Sequence, residues 1–387
     1  MPDGVFHLGM ILHLLALVLL YCVGAPAIRA GRRTWLENAP LPAFQKQPPL
    51  ALIIPLTGDS PTMRQSLASL LHQPGVNFQA QLVVRNEADP ASALVRELVQ
   101  RFPHVRLVIA GEATRCCQKN HSLLAGIKAA GDWPEILVFC DSTHEARPDF
   151  LTRLSAPLVR GEAVLATSYH RVLPDEPTLP SLFHFFSAQF IHLLQNLPWF
   201  CLPWGGATAI RRETFLRHGI DAIWARGVVD DFTMGPYLQR RGVRAAAVPQ
   251  AALLTRLNRQ SLGGWWGWWF RQLLYLKFCM PGTWLAATLA PMAGAALLWH
   301  TLRDALSGGF VGWLYLGALC ALGVLYGGLG QRRLPAWRAG LGFALMQILT
   351  IPCFLATWLT NTLRWRGIAY RARLDGTVAA ILHRAQG

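Results

Sequence analysis

Four aspartates stand where apolar runs give way: Asp89 after QLVVRNEA, Asp141 directly after ILVFC, and Asp230 with Asp231 in VVDDF. An open parallel sheet offers its ligand crevice at the carboxyl ends of its strands, so carboxylates at these places are the first candidates for binding and catalysis. Asp141 is the sharpest of them. A carboxylate ending an otherwise fully apolar strand is costly unless it faces a cleft or a cation. Asp89 followed by Pro90 also fits an N-cap with proline at the first helical position, opening a helix over 90–102. Asp230 and Asp231 fit either caps for a helix over 231–240 or a general base with a second carboxylate beside it. Lys119, one of only four lysines, follows RCCQ and by itself reads as a solvated side chain. Four tryptophans fall within residues 265–269, ahead of Arg271 and Gln272. Such a cluster suits an aromatic belt at a bilayer surface, and an arginine at that level has a planar fork that matches phosphate oxygens.

These residues need elements to hold them. Strand-like runs at 50–56, 81–85 and 136–140 alternate with helical stretches, which predicts an α/β domain. Around it, residues 4–28, 281–302, 305–331 and 339–363 carry no Asp, Glu, Lys or Arg. Each is longer than the ~20 residues that a membrane-spanning helix needs. In the first of them GAPAIRA resembles a signal cleavage site, but MPDGVFH lacks a basic residue and Arg29, Arg32 and Arg33 follow the run. The positive-inside rule therefore predicts an uncleaved anchor, with residues from 29 onward cytosolic. Three further crossings would put Arg364, Arg366, Arg371 and Arg373 on the opposite side from the α/β domain. Either one run is re-entrant or lies along the interface, or that basic tail is external. The run 181–200 interleaves His184, Gln189, His192, Gln195 and Asn196 with apolar residues and reads as an interfacial amphipathic helix. The predicted organisation is an anchor over 1–28, a linker over 29–49, an α/β domain over 50–263 and a Trp-rich interfacial helix over 264–280. Transmembrane helices over 281–363 and a basic tail over 364–387 complete it.

Composition excludes other classes. Of 387 residues 52% are hydrophobic and 15% charged, below the ~25% charged residues of ordinary soluble domains. With 15 Trp, 18 Phe and 7 Tyr the chain is not disordered. A net charge of +15 points to nucleic acid, a membrane surface or anionic substrates. No basic stripe with interleaved aromatics is present, and the basic residues cluster beside apolar runs, so nucleic acid is disfavoured. The eight cysteines form no CxxC pair and read as free thiols, and the histidines lack zinc-site spacing.

Taken together the motifs resemble a membrane-bound inverting glycosyltransferase of family 2, most like the ceramide glucosyltransferase branch and its bacterial relatives that glycosylate lipids. IPLTG at 54–58, VRNEADPA at 84–91, QKN at 118–120, CDST at 140–143 and VDDF at 229–232 follow in the family's order. Trp268-Trp269-Phe270-Arg271-Gln272 stands where the family has (Gln/Arg)-x-x-Arg-Trp, keeping the central arginine and changing both outer positions. Trp365-Arg366-Gly367-Ile368-Ala369-Tyr370 also looks like the tail of the lipid-glycosylating branch.

The resemblance implies a GT-A-type, Rossmann-like α/β domain on the cytosolic face of a bacterial inner membrane, joined to transmembrane helices. Asp89 would bind the nucleoside of a UDP-sugar beside Pro55 and Leu56, with Lys119 in support. Asp141 would hold a divalent cation, Mn or Mg, with His144, Glu145 or water completing the shell. Asp231 would be the general base, with Asp230 the second choice, and Arg271, flanked by Trp268 and Gln272, would stabilise the leaving diphosphate. The acceptor would be a lipid hydroxyl, on ceramide, diacylglycerol or a hopanoid. Two other readings stand beside this one: a processive polysaccharide synthase, and a non-catalytic relative that binds lipid or a partner protein.

Overall fold

The apolar runs form a doubly covered sheet, and the charge-free runs form helices packed against one side of that domain. The computed structural model describes residues 3–37, 47–197, 199–330 and 334–382. Helix α1 (Asp3–Leu36) comes first. The domain then runs β1 (Leu50–Pro55), α2 (Met63–Leu71), β2 (Phe78–Val84), α3 (Ala91–Arg101), β3 (Val105–Ile109), α4 (Gln118–Ala130), β4 (Ile136–Cys140) and α5 (Phe150–Val159). It continues through β5 (Leu165–Thr167), β6 (His170–Pro174), α6 (Leu179–Gln195), β7 (Ala207–Arg211), α7 (Arg212–Arg217), α8 (Ile220–Trp224) and α9 (Asp231–Gln239). Then follow β8 (Ala246–Ala247), β9 (Leu253–Leu257) and helices α10 (Leu262–Cys279), α11 (Pro281–Ala287), α12 (Leu289–Leu306), α13 (Phe310–Gly327) and α14 (Ala336–Ala356). Three strands close the described chain: β10 (Thr362–Trp365), β11 (Ile368–Ala372) and β12 (Val378–Leu382).

The main sheet has the order β3-β2-β1-β4-β7-β5-β8. Strands β1 to β4 are mutually parallel and β7 runs antiparallel between β4 and β5. Because β1 is buried almost throughout, it reads as an unbroken apolar run rather than an alternating one. Its Leu50, Leu52 and Ile54 join the core with Leu67 of α2 and Val95 of α3. Its Ala51 and Ile53 face the other way, into a core with Leu123 of α4 and Trp224 of α8. The chain winds outward from β1 to β3 and returns to β4 on the other flank of β1. That reversal opens a crevice at the ends of β1 and β4, where Pro55 and Asp141 lie.

The helical part departs from several sequence expectations. Helix α1 does not end at residue 28; it continues to Leu36 through what had read as linker. Its last turns are held by the domain, with Trp35 Nε1 donating to the Ala252 carbonyl at 2.6 Å and Arg147 reaching the Trp35 carbonyl. Residues 38–46 of the expected linker lie outside the described residues. Helix α6 is no surface-lying amphipath: Leu182, Phe183, Phe185, Phe186, Ala188 and Leu193 are all buried, beneath α1, α10 and α14. Two of the four clustered tryptophans are likewise internal. Trp265 and Trp269, one helical turn apart, donate to Ser187 and Thr350 hydroxyls.

Four helical stretches are long and apolar enough to cross a membrane: 4–36, 281–306, 310–327 and 336–359. Three of them share a far end, where Gly9 meets Leu297, and His13 meets the Tyr315 hydroxyl at 2.6 Å. The fourth behaves differently. Helix α13 ends beside the domain, where Arg32 donates to the Gly328 carbonyl, and α14 starts against that same end, with Ala339 packed on Gly327. Helix α14 finishes beside the domain again, where Lys277 Nζ holds the Thr357 and Thr360 carbonyls at 2.8 and 2.9 Å. Both of its ends lie on the α/β side. The expected basic tail is instead a folded antiparallel sheet, β10-β11-β12, docked on the domain through a bridge between Thr377 and Gly227. Residues 383–387 lie outside the described residues.

Helix α4 lies close on the sheet at Gly126, where a Cβ would fall 2.5 Å from Ile53 Cγ2 and 3.0 Å from Val83 Cγ2. Gly126→Val should overpack this layer and cost about 1–3 kcal/mol. Its thermal midpoint in lipid nanodiscs should fall below that of the parent protein; an unchanged midpoint would contradict the close packing.

Candidate active site

The QKN turn at the start of α4 builds the site, one residue for each task. Gln118 accepts from Ala113 N–H and donates to the Gly111 carbonyl, fixing the approach to the helix. Asn120 turns inward, its side-chain amide within 3.2–3.4 Å of the Trp224, Gly227 and Val229 carbonyls. That contact holds the loop that delivers Asp230 and Asp231. Between them Lys119 points into the crevice, with Nζ 2.9 Å from Asp141 Oδ1 and 3.0 Å from Asp230 Oδ2. Burial opposes its charge, but Asp141, Asp230 and Asp231 outweigh burial and hold Lys119 protonated far above its ordinary range. The reading of Lys119 as solvated is thereby corrected.

The three carboxylates differ in what they can do. Burial works against the ionised Asp141, yet Lys119 and then His144 draw its pKa below the usual carboxylate range, so it stays an anion. Asp230 is tied to Lys119 and its side chain is only 3% exposed. Asp231, partly exposed at the start of α9, accepts from Gly205 N–H at 3.0 Å and Phe232 N–H at 2.7 Å. Burial, reinforced by the Asp230 charge, raises its pKa to about 7. A carboxylate poised near neutrality on an open cavity wall suits a general base. The backbone of Gly205 permits this crowding, since a Cβ there would lie 2.1 Å from Asp230 Oδ2 and 2.7 Å from Lys119 Nζ.

Asp89 is used up by the protein. Its oxygens accept from Thr57 Oγ1 at 3.0 Å, Gly58 N–H at 2.8 Å and Ala91 N–H at 3.0 Å. It therefore caps α3, as the Asp-Pro pair predicted, and ties the β1 loop to β2, while Pro55, Leu56 and Thr57 themselves line the cavity. His144 has its Nδ1 2.7 Å from Thr255 Oγ1, a hydroxyl that also meets His170 Nδ1 at 2.5 Å. This leaves His144 Nε2 turned toward Asp141 Oδ2, 3.8 Å away. Glu145 is drawn off to Arg256. Among the described residues no group of three or more acidic, His or Cys side chains converges. One free carboxylate oxygen and one imidazole nitrogen nevertheless fit a cation whose remaining ligands are water and phosphate oxygens.

Above this polar cup, Arg271 on α10 lines the cavity wall with Trp268 and Gln272. Trp268 stacks on His184 with ring centres 4.0 Å apart, and Gln272 bonds back to the Trp268 carbonyl. Two features of the cavity wall were not assigned to the site from the sequence. The C-terminal sheet closes one side, with Tyr370 Oη accepting from Gln118 N–H at 3.1 Å and the hairpin residues Trp365 and Arg366 lining the cavity. Arg85, at the end of β2, lines it too. The cavity, about 1790 Å3, does not stop at the cup. It continues between α1, α12 and α14 past Leu12, Leu297 and Ile351.

Residues 9–378 match the family described as glycosyl transferase family 21. The chain belongs to that family. The motif resemblance named family 2 and its ceramide glucosyltransferase branch, and the match agrees that the chain is a glycosyltransferase while giving family 21. Among solved structures, the mannosyltransferase PcManGT from Pyrobaculum calidifontis, in complex with GDP-Man and Mn2+, aligns with a TM-score of 0.55 at 17% identity. The alignment covers 90% of this chain and 99% of that one, and it supports the fold. A mycobacterial protein aligns over 60% of this chain and 74% of its own at 17% identity, with a TM-score of 0.40. This family 21 chain is thus a glycosyltransferase with a mixed α/β core and four membrane-length apolar helices.

Two outcomes follow for the cup. Gly205→Ala should push apart Asp230 and Lys119, lowering stability by about 1–3 kcal/mol and turnover by more than the stability loss explains. A thermal scan beside a steady-state assay reads both. The raised pKa of Asp231 sets the sign of the pH dependence: a base must be deprotonated, so kcat/KM should climb as pH rises through about 7 and flatten above it. A profile flat from acid to neutral pH would remove Asp231 as the base.

Proposed function

We propose that this glycosyltransferase moves one sugar from a UDP-sugar to the hydroxyl of a lipid that stays in the membrane, with inversion at the anomeric carbon. The observation that carries this reading is the continuity of the cavity, from Asp231 and Lys119 into an apolar furrow among α1, α12 and α14. A pocket for a nucleotide sugar alone needs ~300–1,000 Å3. This one is larger, and its added length is walled by apolar helices.

The residues then divide the work. Pro55, Leu56, Thr57 and Arg85 form the floor on which the nucleoside rests, while Asp89 stiffens that floor from behind. Asp231 takes the proton from the acceptor hydroxyl as its oxygen attacks the anomeric carbon, and the bond to the diphosphate oxygen breaks on the opposite side. Asp230 is the poorer base, because Lys119 holds it. Lys119 keeps Asp141 an anion and pairs with Asp230 beside it, and Arg271 meets the charge that grows on the departing UDP. Asp141 and His144 would hold Mn or Mg, which supplies positive charge to the same diphosphate. Arg29, Arg32 and Arg33 at the domain end of α1 support a cytosolic α/β domain on a bacterial inner membrane.

The test is purified protein in nanodiscs, given radiolabelled UDP-sugar, Mn2+ and total lipid extract. A single-sugar glycolipid is expected, lost by ~10²–10⁴-fold in Asp231→Asn and on chelation of the metal. A polymeric product would instead favour a processive synthase, and UDP binding without turnover a non-catalytic relative.

A further inference from the structure

Thr255, on β9, serves two imidazoles with one hydroxyl. Its Oγ1 lies 2.7 Å from His144 Nδ1 and 2.5 Å from His170 Nδ1. The backbone dictates the first contact. Glu145 and Leu254 form an antiparallel bridge, with Glu145 N–H 2.7 Å from the Leu254 carbonyl and Leu254 N–H 2.9 Å from the Glu145 carbonyl. The residues flanking that bridge, His144 and Thr255, therefore stand opposite one another on one face. Parallel pairing of β9 with β6 supplies the second contact, since His170 lies on β6 two positions before Val172, the partner of Thr255. The rings have little freedom to turn. His144 and His170 are both buried, their centres are 4.9 Å apart, and Trp204 packs on each of them. The branch at Cβ also restricts the Thr255 side chain, so the hydroxyl is set in place.

This chain of groups has a direction. A neutral imidazole carries one N–H and one bare nitrogen, and a hydroxyl gives one proton while accepting others. His144 Nε2 faces Asp141 Oδ2 across 3.8 Å, too far for a direct hydrogen bond. For Nε2 to offer a lone pair to a cation beside that carboxylate, the His144 proton must sit on Nδ1, and Thr255 Oγ1 is placed to accept it. The hydroxyl proton is then directed to His170 Nδ1. In the reverse order His170 donates to Thr255 and Thr255 to His144, which leaves the His144 proton on Nε2, where it blocks a cation.

Resting on the reading that Asp141 and His144 hold Mn or Mg, we propose that Thr255 is the positioning residue of that cation site: it accepts the Nδ1 proton of His144, gives its own to His170, and keeps His144 Nε2 bare. It acts through His144. The next residue on the same strand helps, because Arg256 draws Glu145 aside and leaves the cation to Asp141 and His144.

Full-length protein in phosphatidylcholine nanodiscs, with and without UDP, is titrated with Mn2+, and electron paramagnetic resonance measures the free ion against empty discs. The parent protein should bind Mn2+ and show spin-echo modulation from an imidazole nitrogen. Thr255→Val keeps the shape and removes the hydroxyl, and it should weaken Mn2+ binding by ~10–100-fold. Thr255→Ser, which keeps the hydroxyl, should restore most of the affinity and the nitrogen modulation. Should Thr255→Val fail to fold, Thr255→Cys takes its place, since a thiol is a weak acceptor and a loss of at least ~10-fold is expected. Parent-like affinity in the variant without the hydroxyl, or a loss that Thr255→Ser does not restore, overturns the proposal and leaves the ligand set standing. Parent protein that binds no Mn2+, or binds it without nitrogen modulation, removes His144 as a ligand and overturns both.

Discussion

One ammonium group among three carboxylates governs how the polar cup is built. Lys119 comes from the first turn of α4, Asp141 from the end of β4, and Asp230 and Asp231 from the start of α9. Without the cation, packing three anions this closely in a dry crevice would drive protons onto at least one of them. With it, Asp141 is held as an anion and Asp230 is held in position, while Asp231, whose two oxygens are satisfied by backbone N–H groups, is left with a raised proton affinity. The adjacent aspartates are thus made unlike by their surroundings. Asn120 and Gly205 matter for the same reason, one by fixing the loop and the other by making room.

The helical part bears on the lipid acceptor proposed above, which would have to meet the polar cup from among apolar helices. The furrow between α1, α12 and α14 ends where Trp268, Arg271 and Gln272 face the cup. Helix α14 returns to the side from which it starts, and this lets the chain after it fold onto the domain as β10–β12 rather than end on the far side.

Much of this was legible in the sequence because the signals were local. Apolar strand runs ending in aspartate marked the crevice, the Asp89-Pro90 pair marked the cap of α3, and VVDDF marked the start of α9. What stayed hidden depended on contacts between distant residues. Lys119 looked solvated because its partners lie 22 and more than 100 residues away, at Asp141 and Asp230. The tryptophan cluster looked like a belt because sequence does not reveal that Ser187 and Thr350 receive two of the indole N–H groups. The run of α6 looked amphipathic because its polar side chains face other protein groups, not water. Arginines near the end of the sequence read as a basic tail, whereas Arg364 and Arg371 belong to a small sheet whose apolar side packs on Val228, Val229 and Phe278.

That last sheet bears on how the protein comes into being. Tyr370 latches the start of α4, and the backbone around Gly376 and Val378 pairs with Val228 and Arg226, next to Asp230 and Asp231. A ribosome must therefore pass residue 378 before the cup has its final wall. Chains that stop before β10 would keep the whole α/β sheet and still lack that wall, so folding of the sheet and completion of the cup are separate events in time.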